Sequence, residues 1–325
     1  MRQAWQKQAA FYAAYVVLGV IIVMLPRLVS AYVESMVVRI LILGIFATSL
    51  NLLWGYTGLV SLGHAAYFGM GGYTAGILMV HYGITSFWIN APLSILMTTF
   101  TAAIFGILAL RAAGAYFMLV TIAMGELLYS VALKWRTMTG GSYSLVGISY
   151  PDLGLPWFTM NATYYYYFVF IVFVICLFLM YRIIKSPFGY ALQGIRGNEP
   201  RMRALGYNTW WYKYIAFIVA GLFAGVAGVL FASLNGTIAP SHLGIETSTL
   251  AMLMLILGSS STVFGPVLGA ALVVSIQYFS SIYVPERWPL ILGSVFVLSV
   301  MFLRGGIGIH LVRLWKRVYY GSIKG

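Results

Sequence analysis

The chain has 325 residues, of which 62% are hydrophobic and only 8% are charged, and its formal net charge is +13. Soluble domains carry roughly a quarter charged residues, so this composition excludes a soluble protein and predicts one that lies in a membrane. The apolar runs are continuous, which is typical of helical spans and disfavours a barrel of alternating strands. Cys176 is the single cysteine, so an internal disulfide is excluded.

Apolar segments of about 20 residues predict membrane spans. The first such segment follows Arg2 and Lys7 as in a signal peptide, but its length favours a retained anchor. We therefore predict an all-α, polytopic transmembrane helix bundle of about ten spans, folded as a single domain over residues 1–325. The predicted spans cover residues 9–25, 36–54, 58–80, 88–110, 115–133, 164–182, 213–234, 247–261, 264–283 and 289–303.

The positions of Lys and Arg predict the orientation of the spans, because basic residues collect in cytoplasmic loops. With the N-terminus inside, most basic residues fall on the cytoplasmic side. This predicts two cytoplasmic termini, a cytoplasmic loop at 183–212 and an external loop at 134–163. The basic residues lie at span ends rather than on a folded reading surface, so we expect the lipid bilayer, and no nucleic acid, as a partner.

Glycine is dense near the third predicted span, with six glycines between Gly55 and Tyr73. One interpretation is close helix packing, because glycine lets backbones approach each other. The other is an irregular span that lines a translocation path and presents Ser61 or His64 to a polar solute. Both interpretations can hold, since irregular backbone in a membrane must lie against protein or a water-filled cavity.

Glu126 is the acidic residue predicted within a span, and an intramembrane carboxylate is a functional candidate. It is either a structural carboxyl anchored by hydrogen bonds or a group that acts in gating or solute contact. Arg39 is the predicted intramembrane cation and a candidate partner for it.

Two loops carry recognisable features. The external loop 134–163 contains the glycine-rich run TGGSYS and is long for a simple connection, so it either forms an outer gate, docks an external partner or only joins two spans. In the cytoplasmic loop 183–212, Asn198 predicts a helix start, Pro200 fits the first turn, and Gly206 predicts a left-handed stop. The exposed residues of this short helix are suited to a groove in a partner protein.

The chain lacks the motifs of an enzyme. It contains no Gly-Lys pair and therefore no phosphate-binding loop of the Gly-Lys-Ser/Thr type. Asp152 is its single aspartate, and the four histidines are too far apart in sequence for the spacing of a zinc protease. We predict no catalytic, cofactor or metal site, which leaves transport or conduction.

Five motifs in order resemble the membrane subunits, of the M-subunit type, of ABC importers for branched-chain amino acids. They are GYTGLVSLGHAAYFGMGGYTA near residue 55, LRAAGAYFMLVTIAMGE near 110, TGGSYSLVGI near 139, SPFGYALQGIRGNEPRMRALGYNTWW near 186 and FGPVLGA at 264–270.

The resemblance implies a permease domain in the bacterial cytoplasmic (inner) membrane. Its implied partners are a homologous second permease subunit, two cytoplasmic ATPase subunits that bind ATP and Mg, and a periplasmic solute-binding protein. It also implies that the cytoplasmic loop couples to the ATPase through Arg196, Asn198, Glu199, Pro200, Arg201, Met202, Arg203, Leu205 and Gly206.

The chain departs from the family pattern in two places: Ser144 stands where a glycine is usual, and the run Gly258, Ser259, Ser260 and Ser261 stands where the family usually has Gly-Gly-x-Gly. If this run lines the path together with Ser61, His64 and Glu126, its hydroxyls favour a more polar solute than leucine. The expected solutes are branched-chain or other hydrophobic amino acids, and the alternative is urea or short amides. An alternative of another class is an autonomous secondary transporter or channel.

Overall fold

A computed structural model describes residues 30–154, 160–260, 262–283 and 288–302. The predicted span at 9–25 and the candidate path residue Ser261 lie outside these ranges. The described residues are mainly helical. The helices are α1 (Ala31–Asn51), α2 (Ala65–Val80), α3 (Phe87–Ala109), α4 (Ala115–Lys134), α5 (Arg136–Thr139), α6 (Ala162–Ile184), α7 (Pro187–Gly197), α8 (Glu199–Ala204), α9 (Thr209–Asn235), α10 (Ile245–Gly258), α11 (Gly265–Tyr283) and α12 (Trp288–Phe302).

The prediction of a helical membrane protein is confirmed. Within the described ranges, six helices are long and apolar enough to cross a membrane, and they are α1 with the π-helical turn that follows it, α3, α4, α6, α9 and α11. The predicted spans at 88–110 and 115–133 agree closely with α3 and α4. The total of about ten spans and the cytoplasmic location of the termini stay predictions.

Two predicted spans differ from the structure because each contains irregular backbone. The span predicted at 58–80 is helical only from Ala65, where α2 begins, and the one predicted at 247–261 ends as a helix at Gly258. Gly58, with φ +82°, ends the π-helical turn Leu52–Thr57 in the left-handed region that glycine favours. The apolar run at residue 58 therefore begins with a non-helical segment.

The centre of the bundle is formed by α1, with its π-helical turn, and α9, which are the most buried of the six spanning helices. The helix α9 packs against α1, α2 and α3, while α11 packs against α1 and α10. Glycine permits the closest of these contacts, since a Cβ on Gly228 of α9 would lie 1.8 Å from the carbonyl oxygen of Phe68 in α2. In the glycine-rich segment itself, a Cβ on Gly71 would lie 2.4 Å from the carbonyl oxygen of Gly225 in α9, so the packing interpretation is confirmed for this helix pair.

At the end of the bundle where α1 begins, two short strands pair. The strand β1 (Leu145–Val146) is antiparallel to β2 (Thr237–Ile238) and joins the loop 134–163 to the segment after α9. The loop also contains α5 and a 3-10 turn, Gly141–Tyr143. It is therefore a folded connection in its described part.

Candidate functional site

Two irregular segments meet inside the bundle. Residues 58–64 precede α2, and residues 236–244 precede α10. The second segment packs closely on α2, because a Cβ on Gly69 would lie 2.5 Å from the side chain of Leu243. The backbone N–H of Ala65 donates to the hydroxyl of Ser248 at 2.9 Å, so the first residue of α2 bonds to the first turn of α10. The helices α2 and α10, each of which follows an irregular segment, thus begin beside each other.

Side chains satisfy free N–H groups at these helix starts. The N–H of Ile245 donates to Oε1 of Glu126 at 3.2 Å, and the N–H of Leu62 donates to Oγ1 of Thr121 at 3.3 Å. Both acceptors belong to α4. An unpaired N–H in a membrane interior costs several kcal/mol, so these acceptors make the irregular backbone tolerable there.

Glu126 therefore accepts a hydrogen bond at a helix start, as the structural interpretation of this carboxyl expects, and its place in the translocation path stays a prediction. The suggested pairing of Glu126 with Arg39 is wrong, because the described residues show no ion pair between them. The true partner, Ile245, is 119 positions away in the sequence.

Replacing Glu126 tests whether the carboxylate acts only as an acceptor. Glu126→Gln keeps a carbonyl oxygen at this position, so we expect thermal stability and transport close to the parental values. Glu126→Leu removes the acceptor and is expected to destabilise the fold by about 1–3 kcal/mol. Heating the purified protein to a series of temperatures and measuring the folded fraction by size-exclusion chromatography gives this difference. If Glu126→Gln abolished transport at unchanged stability, the carboxylate would act through its charge or proton.

The side chains of Ser61 and His64 lie inside the protein. Nε2 of His64 lies 2.8 Å from Oγ of Ser49, and its ring stacks on Phe46 with centroids 5.5 Å apart. Nδ1 of His64 and Oγ of Ser61 have no hydrogen-bond partner among the described residues, although both are buried. Two unsatisfied polar atoms therefore lie on the irregular segment 58–64.

The break between α10 and α11 contacts the end of α1. Asn51 donates through Nδ2 to the carbonyl oxygen of Thr262 at 2.9 Å, and a Cβ on Gly55 would lie 2.4 Å from the carbonyl oxygen of Ser260. Ser259 is buried. The break is thus packed tightly against α1.

Both departures from the family's glycines occur where the backbone favours glycine. Ser144 has φ +66° and Ser259 has φ +108°. Non-glycine residues are uncommon in this region because the Cβ is crowded. The serines therefore keep a glycine-type backbone and add hydroxyls.

A cavity with a volume of about 740 Å³ lies between α1, α9, α10 and α11. Its apolar lining includes Leu43, Phe68 and Leu250. None of the candidate path residues within the described ranges lines it. Its polar lining includes Ser35, Arg39, Asn235, His242, Glu246 and Gln277.

Sequence reasoning missed this cavity, although one signal was present. Tyr32, Ser35 and Arg39 are spaced three and four residues apart, which places them on one face of α1. The positions of Gln277 and Ser281 repeat this pattern on α11. Polar residues at helical spacing within an apolar span indicate a face turned towards a cavity or a partner.

The loop 183–212 contains two helices, α7 and α8, rather than the single helix predicted. Ser186 caps α7, and Asn198 caps α8 by accepting from the N–H of Arg201 at 3.0 Å. Pro200 lies in the first turn of α8, and Gly206 has φ +89°. The predicted cap, first-turn proline and left-handed stop are confirmed.

Glu199 fastens α8 to the start of α9. Its carboxylate accepts from Nζ of Lys213 at 2.5 Å, from Nη2 of Arg203 at 2.7 Å and from Oγ1 of Thr209 at 3.0 Å. Partial burial raises the pKa of Glu199, but these hydrogen bonds and the charge of Lys213 hold it below its ordinary value. The contribution to stability is therefore present above the unfolded pKa of about 4.3 and is lost as the pH falls through the lowered folded pKa.

The outer face of α8 is free in the described protein. No residue of α8 is buried, and Leu205 immediately after it is 67% exposed. Met202 instead turns back to α7, where it lies against Gly194. The helix therefore has one side fixed to the bundle and one side available.

The segment formed by α7 and α8 is also connected to the end of α1 and, through it, to the break between α10 and α11. Arg196 in α7 donates through Nη1 to the carbonyl oxygen of Gly55 in the π-helical turn. Asn51, one turn earlier, bonds to Thr262 in the second break. A displacement of α7 would thus act directly on the end of α1, which contacts the second break.

Comparisons with known proteins show the family of the chain. A family model described as branched-chain amino acid transport system / permease component matches residues 32–303. The high-affinity branched-chain amino acid transport system permease protein LivM of Escherichia coli K12 is 28% identical over 341 residues, covering 98% of this chain and 79% of that protein.

The chain is also similar to a second permease in sequence and to one solved structure. The autoinducer 2 import system permease protein LsrC of Escherichia coli O9:H4 is 28% identical over 153 residues, or 45% of each chain. The solved structure of PsaBC from Streptococcus pneumoniae in complex with Fab is 14% identical with a TM-score of 0.43, covering 89% of this chain and 96% of that chain.

Proposed function

The chain belongs to the family of permease components of branched-chain amino acid transport systems, and on this basis we propose that it forms half of the translocation path of an ABC importer for amino acids. It is a multi-pass membrane protein with several helices of spanning length. The proposed solutes are branched-chain or other hydrophobic amino acids, and the name of the relative LivM supports the branched-chain ones.

The proposed complex contains a homologous second permease subunit, two cytoplasmic ATPase subunits that bind ATP and Mg, and an external solute-binding protein. It lies in the bacterial cytoplasmic membrane. Hydrolysis occurs in the partner subunits, and this chain provides a path and a mechanical connection.

The observation that carries the proposal is the segment formed by α7 and α8. Glu199 holds it to α9, Arg196 holds it to α1, and its other side is exposed. We propose that this exposed side sits in a cleft of an ATPase subunit and acts as the coupling element. The residues that we assign to the coupling element, whether they face the ATPase or hold the element to the bundle, are Arg196, Asn198, Glu199, Pro200, Arg201, Met202, Arg203, Leu205 and Gly206.

The proposed switch uses two irregular regions, the segment 58–64 before α2 and the break between α10 and α11. Closure of the ATPase pair moves α7 and α8, and the bundle changes between outward- and inward-facing states as packed bodies that slide or rotate. Buried polar atoms with no partner, on Ser61 and His64, give a passing solute or water hydrogen-bonding sites. Glu126, Ser259, Ser260 and Ser261 complete the proposed path at the helix breaks.

The test is reconstitution of the complete importer in proteoliposomes. We expect ATP-dependent uptake of leucine, and ATPase activity that rises when leucine-loaded binding protein is added. Urea offered with its own loaded binding protein is the second arm. Uptake of urea without uptake of amino acids would overturn the amino acid assignment. Uptake by this chain without ATP or partners would overturn the importer assignment.

A further inference from the structure

We propose that the cavity between α1, α9, α10 and α11 is a binding site for a zwitterionic α-amino acid, in which Arg39 binds the carboxylate and Glu246 binds the ammonium group. The inference rests on the proposed function and specifies its substrate class. None of the path residues predicted from sequence and described in the structure lines this cavity, so it is a separate contribution to solute recognition.

Arg39 is a cation inside a helix of spanning length. It lies eight residues after the start of α1, which is about 12 Å along the helix axis. Its guanidinium carbon is 5.5 Å from the ring centroid of Phe231, so one face of the group rests on an aromatic wall. No ion pair to Arg39 is present among the described residues. Stacking leaves the N–H groups at the edge of the guanidinium free to bind an anion.

Glu246 lines the same cavity from the first turn of α10. Arg39 and Glu246 share one space but are not within ion-pair distance of each other. Both residues are exposed and no opposite charge lies beside either of them among the described residues, so both charges are available to a ligand. The cavity therefore carries one positive and one negative side chain that do not pair with each other. A zwitterion can bind both, with its carboxylate on the first and its ammonium group on the second.

The remaining lining suits an amino acid with an apolar side chain. Apolar surface is provided by Leu43, Phe68, Leu250 and Val274. The polar side chains of Asn235 and Gln277 line the cavity together with the two charged residues. The volume of about 740 Å³ is within the range of small-molecule sites. Urea carries no charged groups and no apolar part, so it would use neither the two charges nor the apolar surface.

The test measures binding to the assembled permease and ATPase subunits in detergent. The binding protein is left out because it has its own specificity. The probe is radiolabelled leucine, displaced by unlabelled leucine, by leucinamide, which lacks the carboxylate, or by 4-methylvalerate, which lacks the ammonium. We expect leucinamide and 4-methylvalerate each to compete about tenfold or more weakly than leucine, since each loses one charge-assisted contact.

Two variants assign the charges. Arg39→Gln is expected to weaken leucine binding about tenfold while leaving leucinamide nearly unchanged, and Arg39→Lys is expected to recover part of the loss. Glu246→Gln is expected to weaken leucine and leave 4-methylvalerate nearly unchanged. The control is Lys134→Met, which removes a positive charge at the end of α4 and outside the cavity. It should bind as the parent does.

The inference is overturned if the parental importer shows no saturable leucine binding, or if Arg39→Gln and Glu246→Gln discriminate among the three ligands as the parent does. Either result leaves the proposed function intact when ATP-dependent leucine uptake is still present. Loss of uptake in the parental complex overturns the proposed function instead, so the two failures are distinguishable.

Discussion

Glu199→Gln is expected to reduce the stimulation of the partner ATPases by loaded binding protein about tenfold or more. The carboxylate accepts three hydrogen bonds, and the Lys213 side chain that it neutralises is only 17% exposed. Hydrogen bonds to charged groups contribute about 1.5–3 kcal/mol when they are shielded from water, whereas the exposed pair with Arg203 contributes about 0.3–0.5 kcal/mol. Without the negative charge, the charge-assisted contacts with Lys213 and Arg203 are weakened, so α8 is held less firmly to α9 and movement of the ATPase is transmitted less completely to the bundle.

The measurement is ATPase activity of the reconstituted importer with saturating binding protein, compared with basal activity. Lys185→Met is the matched control, since this lysine is exposed in the same loop. A double-mutant cycle with Lys213→Met adds a structural test. If the pair acts together, the double variant should be no worse than either single one.

Full stimulation in Glu199→Gln, with a stable and assembled complex, would contradict the role of this anchor in coupling. Failure of the variant to assemble is separated from loss of coupling by size-exclusion chromatography of the complex. Uptake of leucine should fall in parallel with the stimulated ATPase activity, because both depend on the same connection.

Gly228→Ala is expected to destabilise the bundle by about 3 kcal/mol or to prevent its assembly. The added Cβ would lie 1.8 Å from the carbonyl oxygen of Phe68 and 3.1 Å from the backbone nitrogen of Gly72. These are backbone atoms of α2, which no side-chain rotation can move aside. Overpacking of a tight interior costs roughly 1–3 kcal/mol, and occasionally more when the backbone must shift.

Thermal melting of the purified complex, followed by size-exclusion chromatography, measures the effect. Gly293→Ala is the matched control, because Gly293 also lies in an apolar helix and an added Cβ there would have no atom of the described residues within 4 Å. Its melting temperature should stay at or slightly above the parental value, since alanine favours helix. Equal melting temperatures for both variants would contradict the close packing of α2 on α9.

Local properties of this protein are determined by its sequence alone. The excess of apolar residues predicts a membrane protein, and α3 and α4 occur within a few residues of their predicted positions. The start and stop of α8 follow from Asn198 and Gly206 because capping involves neighbours in the sequence. Such features depend on composition and on contacts across a few residues.

Only the tertiary structure decided how the intramembrane charges are used. Glu126 accepts from an N–H 119 positions away, and Arg39 meets Phe231 and the cavity across helices that are distant in the chain. Helical spacing suggested a polar face on α1 but not what that face meets. The reason is physical: a broken helix is stable in a membrane only when groups from other helices satisfy its free backbone, and those partners are selected by packing of the whole bundle.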